Sequence, residues 1–156
     1  MMIDHSALQW RCQPFAALSV IELYQILHWR QQVFVVEQRC AYLDADGLDP
    51  ECLHLSLCNP QGELLAYARL LPPGLNDAEP AIGRVLVLPQ YRRQQLARAL
   101  MLCALDEIAQ RFASMPVRIS AQLYLQDFYQ RLGFVATGAP YDEDGIPHID
   151  MLRPLP

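Results

Sequence analysis

Three arginines, Arg92, Arg93 and Arg98, stand where an apolar strand pattern runs into an amphipathic helix pattern, and a junction of that kind can bind an anion. The strand pattern is Arg84-Val-Leu-Val-Leu88, followed by Pro89, where a residue without an N–H does little harm. Leu96, Leu100, Met101, Ala104, Leu105, Ile108 and Phe112 then recur at helical spacing, which predicts a helix over about 91–113. A helix start offers unpaired N–H groups and the positive end of the dipole. Each arginine placed there is disfavoured by about 0.3–1 kcal/mol unless an anion sits among them. N–H and guanidinium groups converging on one point describe a phosphate site. A second collection, Cys40, Asp44, Asp46, Asp49, Cys52 and His54, crowds one loop. Its aspartates lack the glycine and closing glutamate of a calcium loop, and its Cys/Cys/His spacing matches no familiar zinc pattern, so no metal is expected.

These groups need elements to position them. Residues 8–13 read as a strand, and Ser19 with Glu22 has the spacing of a capping box. That helix carries Leu23, Ile26, Leu27, Val33 and Phe34 on one face, and Val35–Gln38 ends it or begins the turn beyond. Leu53–Leu57 and Leu64–Leu71 read as strands joined by the turn Asn59-Pro-Gln-Gly62. A strand at 81–88, the helix at about 91–113 and a strand at Val117–Ala121 make a βαβ unit, whose two strands should be parallel. A short helix at about 123–132 should stop at Gly133, with further strands at Phe134–Thr137 and Ile149–Leu152. The expected fold is therefore α/β (α+β): a mixed, mostly antiparallel sheet with a central parallel βαβ unit and helices on both faces, in a single domain over 1–156.

Composition excludes several classes. With 53% hydrophobic and 19% charged residues over 156 positions, the chain can bury a sizeable core and is not disordered. A net charge of −5 argues against nucleic-acid binding, and no apolar run is long enough to span a membrane. All 12 basic residues are arginine, which removes lysine Schiff-base chemistry and the P-loop lysine. The N-terminus shows no signal-peptide pattern, so five irregularly spaced cysteines read as reduced thiols of a cytoplasmic protein.

The order of elements and the arginine-rich junction resemble the GNAT superfamily of acetyl-CoA-dependent N-acetyltransferases. Its signature there is Gln/Arg-x-x-Gly-x-Gly/Ala, and the chain reads Arg92-Arg-Gln-Gln95-Leu-Ala97, with glutamine at the usual glycine. Phe128-Tyr129-Gln-Arg-Leu-Gly133-Phe134 matches a second family motif. Phe34-Val-Val-Glu-Gln38, Asp44-Ala-Asp-Gly-Leu-Asp49, Ile82-Gly-Arg-Val85, Ala121-Gln122 and Tyr141-Asp-Glu-Asp-Gly-Ile-Pro-His148 are similar to the ElaA branch, in that branch's order.

The resemblance implies acetyl-CoA as cosubstrate and a small-molecule or peptide amine as acceptor. N–H groups of residues 93–98 (Arg93, Gln94, Gln95, Leu96, Ala97, Arg98) would cradle its pyrophosphate, with charge from Arg92, Arg93 and Arg98. Backbone at Val85, Leu86 and Val87 would pair with the pantetheine arm, beside Gln122 and Phe128. Glutamine at 95 fits helical backbone, with its side chain swung clear of the cradle. Tyr129 would act as general acid toward the departing thiolate; packing is its alternative reading. An alkylamine of pKa about 10.4 is about 4.6 kcal/mol from its neutral form at pH 7, so a base is needed. The family often takes it from a glutamate on the strand before the cofactor helix, and none lies between Ile82 and Leu88. Glu37, His54, Glu143 and His148 remain candidates, with a turn-bonded histidine the alternative at His148. Asp44, Asp46, Asp49 and Glu143 read either as attracting a cationic acceptor or as a solvated loop. Gln95 and the missing glutamate also admit a module that holds CoA or a partner without transfer. Whether the chain pairs as a homodimer stays open.

Overall fold

A computed structural model describes residues 2–155. Its strands are β1 (Gln9–Pro14), β2 (Leu53–Cys58), β3 (Leu64–Leu71), β4 (Ala81–Val87), β5 (Val117–Gln122), β6 (Val135–Ala136), β7 (Tyr141–Glu143) and β8 (Ile146–Arg153). The helices are α1 (Val20–Arg30), α2 (Leu96–Arg111) and α3 (Gln126–Gln130). The described strands form one sheet in the order β1-β2-β3-β4-β5-β8-β6, with β7 on β8. Every pairing is antiparallel except β4 with β5, as a βαβ unit requires.

The apolar run of β3 is buried along its whole length, because helices cover both faces of the sheet there. Leu65, Ala66, Ala68 and Leu70 join Leu100, Met101, Ala104 and Ile108 of α2, with Ile119, Phe134 and Met151. Tyr67 and Leu64 meet Ile26 and Val33 on the other side, together with Leu86 and Leu88. Ser19 caps α1 as its spacing predicts: its hydroxyl accepts from the Glu22 N–H at 3.0 Å, and the Glu22 carboxylate accepts from the Ser19 N–H at 2.7 Å.

The helical run that begins with α1 ends within Val35–Gln38 as expected, its last part being a π-helical segment, Gln31–Glu37, with Gln38 N–H donating to Val33 O at 3.3 Å. Three local readings change. The cofactor helix starts at Leu96 rather than near residue 91, because the chain passes through left-handed backbone at Arg93 (φ 61°) and Gln95 (φ 60°). The expected helix over 123–132 is a 3-10 turn, Leu123–Leu125, followed by α3; left-handed Gly133 (φ 93°) follows it. Strand β7 went unread, although Asp144-Gly145 is the two-residue hairpin sequence and both residues have positive φ (52° and 83°).

Candidate functional site

The sheet opens at its parallel pair. Strands β4 and β5 pair at Ala81 and Arg118 and then diverge, so the later edges of both strands face a gap rather than each other. A bulge in β4 sharpens the opening: Tyr67 pairs with Leu86 and Arg69 with Gly83, which leaves Arg84 and Val85 opposite Ala68, with Arg84 left-handed (φ 51°). A cleft of about 1230 Å³ follows the gap, lined by Val85, Leu86, Val87, Gln122, Phe128 and Tyr129 among others.

At one end of the cleft lies the start of α2. Gln95 is its first flanking residue and makes no side-chain cap, so the first-turn N–H groups receive no side-chain bond from it. Backbone that turns left-handed at Arg93 and Gln95 forms the kind of concavity that presents N–H groups to an anion. Arg93, Gln95, Leu96, Ala97 and Arg98 line the cleft here. Glutamine at 95 is thus not in helical backbone, as its sequence context suggests; it holds a conformation that suits glycine. The Gln94 side chain points elsewhere, its Oε1 accepting from Ile3 N–H at 3.1 Å. Arg92 is engaged by Glu37 at 2.9 Å and donates to Val87 O at 3.2 Å.

The acidic loop is paired with arginines rather than left as a solvated surface. Asp44 is buried and meets Arg30 Nε at 2.7 Å and Arg84 Nε at 2.8 Å. Asp49, also buried, takes Arg30 Nη1 at 2.6 Å and Arg69 Nη1 at 3.0 Å. Asp46, at the cleft edge, accepts from both Arg69 Nη atoms at 2.8 Å. Burial alone would raise the Asp46 pKa, but hydrogen bonds from Arg69 and the Leu48 N–H bring it down to about 2. The guanidinium of Arg84 also lies 5.6 Å from the Tyr42 ring centre. Arg30 and Arg69 were missed in the sequence because an arginine inside an apolar stretch reads as a solvated side chain. His54 is displaced from the site as well: it is 1% exposed, with Nδ1 against Tyr67 Oη at 2.7 Å and Nε2 against Asp49 O at 2.9 Å. Burial lowers its pKa, and both ring nitrogens are committed within the protein rather than turned to the cleft.

The opposite wall holds the groups suited to proton transfer. Tyr129 is 7% exposed yet lines the cleft, packed edge-on against Phe128 and Phe134. Burial, then the neighbouring Tyr124, pushes its pKa up to about 12. His148 sits on β8 opposite Gln122 of β5 and Tyr141 of β7. Its Nδ1 is 2.7 Å from Ile146 O and its Nε2 is 3.4 Å from a Glu143 carboxylate oxygen. Tyr141 stacks on the His148 ring and donates to Asp150 Oδ1 at 2.7 Å, with Ser120 Oγ on the same hydroxyl. Ser120, Tyr141 and Asp150 escaped sequence reading because the hairpin that gathers them did. Gln122 donates to Gln38 Oε1 at 3.1 Å across the cleft.

Residues 48–154 match the family model described as an acetyltransferase (GNAT) domain. The chain belongs to the GNAT acetyltransferase family. It is 42% identical over 149 residues to Protein ElaA of Escherichia coli strain K12, covering 94% of this chain and 96% of that one. The crystal structure of E. coli ElaA superposes with a TM-score of 0.86 at 40% identity, over 94% of this chain and 99% of that one. An acyl-CoA N-acyltransferase from Pseudomonas aeruginosa superposes with a TM-score of 0.88 at 44% identity, with the same coverage. The fold and the reaction class are therefore those of a GNAT acyltransferase. Among the described residues, no helix is long and apolar enough to cross a membrane.

Proposed function

We propose that this protein is an acetyl-CoA-dependent N-acetyltransferase that passes the acetyl group directly to an amine. The observation that carries this reading is the divergence of β4 and β5 beside the uncapped start of α2, with Tyr129 and His148 in the same cleft. The residues present fit the cosubstrate. The open edge at Val85, Leu86 and Val87 suits the amide-bearing arm, and the N–H groups at 96–98 with Arg93 and Arg98 suit the pyrophosphate. Phe128 and Gln122 line the passage between them. When bound, acetyl-CoA supplies an activated thioester.

His148 is the base in this reading. Its Nδ1–H donates to Ile146 O, which leaves Nε2 to take a proton, and Glu143 stabilises the cation that results. Tyr129 assists the leaving sulfur. With its pKa near 12, the hydroxyl stays protonated and works by donating a hydrogen bond, since full transfer to a thiolate of pKa about 8.5 would cost several kcal/mol. No thiol serves as a nucleophile: Cys40, in the cleft, donates to Asp144 O at 3.1 Å, and burial holds Cys103 at about 11.

Calorimetric titration with acetyl-CoA, CoA and ATP, followed by an amine screen for thiol release, tests the proposal. Saturable binding of the first two and transfer to any amine is the expected result. Binding without transfer would favour a holding module, a reading that left-handed Gln95 motivates. No binding at millimolar cofactor would refute the transferase reading and leave a module that holds a partner instead of CoA.

A further inference from the structure

We propose that Glu37 is a built-in competitor for the cofactor's pyrophosphate, occupying Arg92 until the phosphates take it; the inference rests on the acyl-CoA reading above. The two side chains meet fork to fork, Arg92 Nη1 to Glu37 Oε1 at 2.9 Å and Nη2 to Oε2 at 3.2 Å. The remaining guanidinium nitrogen, Nε, donates to Val87 O at 3.2 Å. All three nitrogens of an arginine at the mouth of the cradle are therefore committed within the protein itself.

The arrangement favours exchange. Arg92 and Glu37 expose 40% and 41% of their side chains, so water screens the pair and it resists displacement only weakly. A pyrophosphate carries more charge than a carboxylate. It would also meet Arg93, Arg98 and the first-turn N–H groups of α2, none of which Glu37 is seen to use. Glu37 reaches Arg92 because the chain leaves α1 through a π-helical segment, a rare conformation that recurs at functional sites. The next residue, Gln38, accepts from Gln122 of β5, so this one segment touches both the cradle and the far strand. Exchange at Arg92 leaves the Glu37 carboxylate uncommitted inside the cleft.

The test is a double-mutant cycle read by calorimetric titration with CoA on wild type, Glu37→Ala, Arg92→Ala and the double variant, each checked by thermal melting. Glu37→Ala should tighten CoA binding by about two- to five-fold, the ceiling an exposed ion pair sets. In the Arg92→Ala background the same change should do nothing. Unchanged or weaker binding in Glu37→Ala would overturn the proposal, since Glu37 would then orient Arg92 rather than occupy it. A gain that persists without Arg92 would overturn it too, by tracing the effect to general charge repulsion. Wild type that fails to bind CoA would instead refute the acyl-CoA reading, and this inference with it.

Discussion

Replacing Gln95 with glycine should leave the protein as stable or more stable, which is the reverse of what glycine does inside most helices. Gln95 stands at φ 60° and ψ 20°, where its Cβ crowds the following carbonyl at about 1–2 kcal/mol. Its side chain makes no cap bond, so the change removes strain without removing a capping contact. Glycine's extra freedom in the unfolded chain returns about 0.4–1 kcal/mol. The net is a gain of about 0.8 kcal/mol, or about 2–3 °C in melting temperature for a chain of this size. Urea denaturation measures it, with Ala99→Gly inside α2 as the control that should lose about 1 kcal/mol. The same variant, titrated with CoA, should bind at least as tightly as wild type, because the left-handed turn is kept and a side chain lining the cradle is gone. A stability loss above about 0.5 kcal/mol would refute the reasoning and show that the Gln95 side chain holds something in place.

The remaining predictions address the acidic network and the acid group. Asp44→Ala leaves Arg30, wholly buried, and Arg84 without their shared carboxylate and should cost about 3–5 kcal/mol by urea denaturation; a loss under about 1 kcal/mol would contradict it. Asp46 falls from 3.8 unfolded to about 2 folded, so its contribution is complete above about pH 5 and disappears as pH falls through about 2. Screening at the cleft edge reduces that contribution to about 1 kcal/mol. Thermal melts from pH 5 to pH 2 should follow the decline, and Asp46→Asn should flatten it. Tyr129→Phe should lower kcat about 10²-fold while the Kd for acetyl-CoA holds, and an unchanged kcat would remove Tyr129 from the chemistry.

What the sequence could carry followed from range. Capping at Ser19, the apolar face of α2 and the βαβ unit were legible because local spacing specifies each of them. The first residue of α2 was not. A helical pattern cannot reveal that Arg93 and Gln95 leave helical backbone, since nothing in a glutamine announces positive φ. At the hairpin the opposite error occurred. Asp144-Gly145 did announce its turn, and reading Tyr141–His148 only as a block of family resemblance hid the strand that stacks Tyr141 on His148. The bulge at Arg84 and the divergence of β4 from β5 depend on registers between distant segments, which one strand's pattern does not encode.

Charge was the harder lesson. Asp44, Asp46 and Asp49 look like an acidic patch in sequence, yet arginines between 14 and 40 positions away neutralise them. Arg30 and Arg69 are buried, and a buried guanidinium requires its carboxylates, so the loop 39–52 must fold down onto β3 and the β4 bulge. The aspartates are structural for that reason, because they hold Arg84 and with it the bulge from which the cleft opens. In the proposed reading, electrostatic preference for an acceptor would come mainly from the other wall. There Glu143 faces His148 and Asp150 holds Tyr141, and neither is seen to pair with an arginine among the described residues. An amine approaching from the β7–β8 side would meet the Glu143 and Asp150 carboxylates beside the His148 imidazole, whereas phosphates would be drawn to the arginines at the start of α2. In the proposed reading the two substrates would be sorted to opposite ends of one gap, an arrangement set by where the sheet splits rather than by the total charge of the chain.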